Sequence, residues 1–113
     1  MKEPEARSVV GDLTQDYRTT FLRFLPRRDE AARAAAYDVG RRAFSHGVSL
    51  LDLCRVHHEV ALEVLRETQP DEYLLVTESA GELLLELLAS YDMTHRVVLE
   101  PPPAEADALA PDT

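Results

Sequence analysis

Apolar residues recur along the chain at steps of three and four, the spacing that lines one face of an α-helix. Val10, Leu13, Tyr17, Phe21 and Phe24 form the first such set and predict a helix ending at about Leu25, where Pro26 should forbid continuation. Two starts compete: Pro4 suits a first helical turn, whereas Gly11-Asp12 with Gln15 resembles a capping box. We take one helix running through Gly11. The second helix should start after Asp29, a good N-cap, and run through DEAARAAAYDVGRRAF to a stop at His46-Gly47. Its inward face, Ala32, Ala35, Val39 and Gly40, is small enough to admit a close neighbour.

The third helix opens with Ser49 as N-cap and Asp52 at the third helical position. It is expected to turn Leu50, Leu53, Cys54, His57, Ala61 and Val64/Leu65 inward and to end before Pro70. The fourth should span roughly Asp71 to Leu99, between Pro70 and Pro101-Pro102-Pro103. No run has strand periodicity, and no internal repeat is present. The pattern is that of an all-α four-helix bundle occupying residues 1–100. Residues 101–113, PPPAEADALAPDT, read as a disordered tail or linker because Pro, Ala and acids supply little to bury.

Helix four carries more apolar surface than one core face needs. Glu78, Glu82 and Glu86 form an acidic stripe, and Ala80, Leu83, Leu84, Leu87, Leu88 and Tyr91 cover the opposite side. Leu85 falls beside the stripe and Ala89 within it. An apolar strip rimmed by acids reads as a protein interface; the competing reading is a central helix buried nearly all round.

Charge narrows the function classes. With 12 basic and 21 acidic residues the chain carries −9, which repels phosphate backbones and anionic lipid, so neither nucleic acid nor a membrane is an expected partner. Residues 1–57 hold 10 basic and 8 acidic side chains, net +2, whereas residues 58–113 hold 2 and 13, net −11. That acidic half reads either as a solvated face or as a surface steering a basic partner. A single cysteine, Cys54, cannot pair within the chain and fits a reducing cytosol, and MKEPEARSVV has no apolar leader core. A cytoplasmic location is therefore expected.

Catalytic chemistry finds little to stand on. His57-His58-Glu59 is followed by Val60, Ala61 and Leu62, so the second histidine of a His-Glu-x-x-His zinc helix is missing, and Cys54 with His57 offers two ligands at most. A di-iron bundle needs repeated Glu-x-x-His, to which only Asp92-x-x-His95 comes near. We expect no metal and no cofactor. His57, on the apolar face, reads as a core histidine held by one hydrogen bond. His58-Glu59 superficially resembles the acceptor dipeptide of histidine-phosphotransfer bundles, but Ala61 stands where those domains carry lysine.

The stretch Tyr17-Arg18-Thr19-Thr20-Phe21-Leu22-Arg23-Phe24, then Tyr37-Asp38-Val39-Gly40-Arg41-Arg42, His46-Gly47-Val48, Leu53-Cys54-Arg55-Val56-His57 and Tyr91-Asp92-Met93-Thr94, resembles the N-terminal domain of RsbU-type phosphoserine phosphatases. The likeness covers about residues 10–99. It rests on the joint order and spacing of helix motifs that are individually weak. Such domains are similar to the dimeric helical domain of the clock protein KaiA.

The resemblance implies a homodimeric, non-enzymatic signalling domain that docks a switch kinase of the RsbT type and so turns on an attached phosphatase in a partner-switching stress pathway. It points to Leu85 and Ala89 on helix four and Ala34 on helix two as partner-binding residues. Small Ala34 and Ala89 stand where the family would carry bulkier side chains, and the loop from Thr68 to Tyr73 is longer than the family's. The alternatives are a phosphotransfer-like bundle and a dimerisation module with no further partner.

Overall fold

The structure is a computed structural model describing residues 2–99, with side chains over residues 9–98. Four helices follow one another: α1 (Lys2–Arg27), α2 (Glu30–Ser45), α3 (Leu50–Arg66) and α4 (Tyr73–Leu99), with a short 3₁₀ turn at Pro70–Glu72 leading into α4. Among the described residues there is no strand. The Pro-rich segment expected beyond residue 100 lies outside the described residues.

Local chemistry places most helix ends as the sequence predicts. The Asp29 carboxylate accepts from the Ala32 amide at 3.0 Å, and Ser49 Oγ accepts from the Asp52 amide at 3.0 Å, each satisfying a donor that has no partner inside its helix. At the end of α2, Gly47 takes a φ of +78°. There the Val48 amide donates to the Ala43 carbonyl at 2.9 Å and the Gly47 amide to the Phe44 carbonyl at 3.0 Å. Together these bonds make a Schellman stop.

One boundary differs from the pattern. α1 does not stop at Leu25 but carries Pro26 in its last turn and ends at Arg27. A proline near a C-terminus forfeits one bond without displacing a following turn, so the chain turns only at Arg28. That residue holds a left-handed φ of +51° and its amide donates to the Phe24 carbonyl at 2.6 Å. A side chain in this region costs about 1–2 kcal/mol. The Arg28 guanidinium offsets that cost by pairing with Glu82 and lying 5.9 Å from the Phe24 ring centre.

Packing follows residue size. α4 touches all three other helices and lies most extensively on α2. Successive pairs along both helices, Arg33 with Glu82, Gly40 with Leu87 and Ser90, and Phe44 with Tyr91 and His95, show that α2 and α4 run in the same direction. The α2 face buried there is Ala32, Ala36, Val39, Gly40 and Ala43; Ala35, expected inside, is only half-buried. Around this seam Leu13, Tyr17, Phe21 and Phe24 of α1 form the aromatic side of the core with Leu83 and Leu87 of α4. Burying an aliphatic or phenylalanine side chain of this size stabilises by about 1.5–3 kcal/mol.

α3 is rotated from its predicted setting. Leu53, Val56 and Val60 are buried, whereas Leu50 is largely exposed and Cys54, His57, Ala61, Val64 and Leu65 are half-buried. The helix carries two overlapping apolar stripes at the same period, and the one through Leu53, Val56 and Val60 is the one buried. Periodicity cannot choose between two such stripes.

Candidate functional site

The outer sides of α4 and α2 hold the residues expected to bind a partner. At about 100° per residue, Leu74, Gly81, Leu85 and Ala89 share the side of α4 opposite its buried row of Val76, Ser79, Leu83 and Ser90. Leu85 is 68% exposed and Leu74 71%. The monomer therefore does not bury α4 all round, as the competing reading of its apolar excess required. Ala89 and, on α2, Ala34 are also exposed. Leu74 and Met93, both exposed, extend the apolar surface of α4 toward its two ends. Sequence reasoning passed over them because it centred on the acidic stripe.

That stripe is not a row of solvated acids. Glu78 is exposed, but Glu82 and Glu86 are half-buried, and Glu82 accepts from Arg33 at 2.7 Å while also pairing with Arg28. The Arg33 guanidinium lies 5.0 Å from the ring centre of buried Phe24, a cation–π geometry that immobilises it. Glu82 thus pins the α1–α2 turn and the start of α2 to α4. Ala34 follows Arg33 directly and Leu85 comes three residues after Glu82; at about 100° per residue each turns away from the buried face of its own helix, Ala34 to the outer side of α2 and Leu85 to the outer side of α4. The arginine-rich first half of the sequence was the available signal for this pairing. Its partner could not be read from periodicity.

His57 is placed as a structural histidine. Tyr17, with no exposed surface, has its hydroxyl 2.7 Å from His57 Nδ1, a hydrogen bond whose donor is set by the imidazole tautomer. Burial pushes the Tyr17 phenol far above its ordinary value of 10. Burial, helped by the charge of adjacent His58, holds the His57 imidazole below its ordinary 6.5. His58 itself is exposed on the far side of α3.

The sign of the resulting pH dependence follows from linkage. A folded-state value below the unfolded one means the unfolded chain binds the proton more readily, so the neutral ring's contribution is full above about pH 6.5 and declines as the pH falls through the depressed folded value. Urea midpoints measured at about pH 7.5 and 5.5 should show a smaller drop for His57→Gln than for the native chain. Equal drops would mean that His57 does not titrate between the two states.

Elsewhere, Leu50, Leu88, Tyr91, Asp92 and His95 line an apolar hollow of about 370 Å³ at the C-terminal half of α4. Its tyrosine is committed to the scaffold, donating to the Val48 carbonyl at 2.9 Å, and Asp92 accepts from Arg96 at 3.0 Å. Among the described residues no group of three or more His, Cys, Asp or Glu side chains is placed to hold a metal ion, and no helix is long and apolar enough to cross a membrane.

Comparison with known families gives a match. The N-terminal domain of the phosphoserine phosphatase RsbU matches residues 15–94, which is 80 of the 113 residues. The chain belongs to that family. The matched segment runs from the middle of α1, two residues before Tyr17, to Thr94 in the last third of α4, and so contains α2, α3, the Arg33–Glu82 pair and all three of Ala34, Leu85 and Ala89. The family is the N-terminal domain of the phosphatase rather than its catalytic domain. Neither curated proteins nor solved structures give a match.

Proposed function

We propose that this RsbU N-terminal domain is a non-catalytic, cytoplasmic docking module that forms a homodimer and binds a switch kinase of the RsbT type through Leu85, Ala89 and Ala34, regulating phosphatase output in a stress-response pathway. The observation that carries the reading is the exposure of Leu85 on the outer side of a helix whose inner side is already filled. A leucine held in water forgoes about 1.5–3 kcal/mol that a partner's surface would recover. Glu78 and Glu86 on either side of it, outside the Arg33–Glu82 pairing, add long-range attraction for a basic partner. The small, exposed Ala34 and Ala89 suit a partner that brings its own bulky side chains.

The reading is tested by light scattering on the purified domain alone and mixed with the switch kinase encoded in the same genome. The domain alone at micromolar concentration should show about twice 12.7 kDa. The mixture should show a heavier species at the expense of the free dimer. A domain that remains monomeric and unshifted by the kinase contradicts both halves of the proposal.

A further inference from the structure

A second surface, sharing no residue with the α4 face, lies where α1, α3 and the 3₁₀ turn meet. Its floor is apolar, built from Leu22 and Leu25 of α1, Val64 of α3 and Val76 of α4, around a groove of about 340 Å³. Leu22 is 52% exposed although it stands only one residue from fully buried Phe21. Such a floor is large enough to seat one or two aliphatic side chains.

Acids line the rim. Glu63 and Glu67 border the groove from α3 and its end, and Glu72 from the 3₁₀ turn, against one base, Arg18. Arg18 is already committed: its guanidinium donates to both Glu63 oxygens at 2.8 and 3.1 Å and to Gln15 at 2.6 Å. Neither Glu67 nor Glu72 has an ion-pair partner among the described residues. An apolar floor under uncompensated carboxylates is complementary to a helix with leucine-like anchors on one side and lysines or arginines flanking them.

We propose that this groove is a docking site for a cationic amphipathic helix supplied by another protein. A second copy of this chain carries the same net charge of −9, which argues against it as the occupant of an acid-rimmed groove. The site is separate from the kinase-binding reading and stands or falls without it, since its assay contains no kinase.

The test is a nuclear magnetic resonance titration of the full chain with a synthetic peptide carrying leucines at helical spacing and lysines elsewhere, beside the same peptide with glutamates in place of lysines. Saturable shifts should be confined to Leu22, Leu25, Val64, Thr68 and Val76 and be absent with the glutamate peptide. Reversing the rim with Glu67→Lys and Glu72→Lys together should weaken binding at least about tenfold. Leu22→Asp should abolish it. Because the rim positions are exposed, the double variant decides the matter even if Leu22→Asp folds poorly. Shifts spread over every acidic face, shifts centred on Leu85, or binding indifferent to the rim reversal would overturn the proposal. So would groove shifts on concentrating the chain alone, which would assign the groove to a second copy.

Discussion

Gly40→Ala should lower the melting temperature by roughly 8–16 °C, whereas Gly81→Ala, on α4, should raise it. A Cβ at Gly40 would overlap Ser90 Oγ and the Leu87 carbonyl oxygen. Ser90 can rotate away, although it would surrender its 3.1 Å bond to that same carbonyl, but the Leu87 oxygen is backbone and cannot yield without moving α4. Overpacking of this kind costs about 3 kcal/mol at the upper end of the usual range, from which the better helix propensity of alanine recovers about 1 kcal/mol. The net loss of about 2 kcal/mol corresponds to the stated shift for a domain of this size. At Gly81 nothing lies within 4 Å of the added methyl, so propensity acts alone. Thermal melts of the two variants check both signs. Equal effects would mean that α2 and α4 do not meet at Gly40.

Tyr17→Ala is expected to remove about 3–5 kcal/mol, enough to unfold much of the population of a domain whose whole stability is of order 5–15 kcal/mol. Tyr17 has no exposed surface, meets Phe21 edge-on with ring centres 6.0 Å apart, and lies 5.7 Å from the His57 ring. Its loss would open a cavity between α1 and α3 and strand His57 Nδ1 at once. Tyr17→Phe separates the two effects. It keeps the packing, removes the hydroxyl, and should cost about 1–2 kcal/mol. Denaturant unfolding of both variants gives the two figures. A phenylalanine variant as damaged as the alanine one would mean that the hydrogen bond, rather than the ring, dominates.

Signals that act within one helix were legible before the structure. Asp29, Ser49 and Gly47 mark helix ends through bonds to their own neighbours, and the caps form where the sequence places them. Gly11 lies inside α1 as read. What was not legible depends on which helix lies opposite. α3 offers two apolar stripes of equal period, and only its packing against the neighbouring helices selects Val56 and Val60 over Leu50.

Glu82 shows the same limit at the site. In the sequence it belongs to an acidic stripe with Glu78 and Glu86, but in the fold two arginines far back in the chain draw it into a helix junction. Leu85 was separable from the core because its position beside those glutamates is a property of α4 alone, and it stands exposed as its angle predicts. Ser79 was not foreseen: it is fully buried on α4, and its hydroxyl has no hydrogen-bond partner among the described residues.

Leu85→Asp tests the docking reading most directly, because it asks whether this leucine belongs to the fold or to a partner. An exposed position tolerates a charge with a stability change within about 0.5 kcal/mol, whereas a carboxylate forced into a desolvated contact costs binding several kcal/mol. Helicity, melting temperature and dimer mass of the variant should match the native domain, while calorimetric titration with the switch kinase should lose its heat of binding. A variant that unfolds or dissociates to monomer would place Leu85 in the core or the dimer seam, and one that binds the kinase as tightly as the native domain would remove the outer face of α4 from the docking surface.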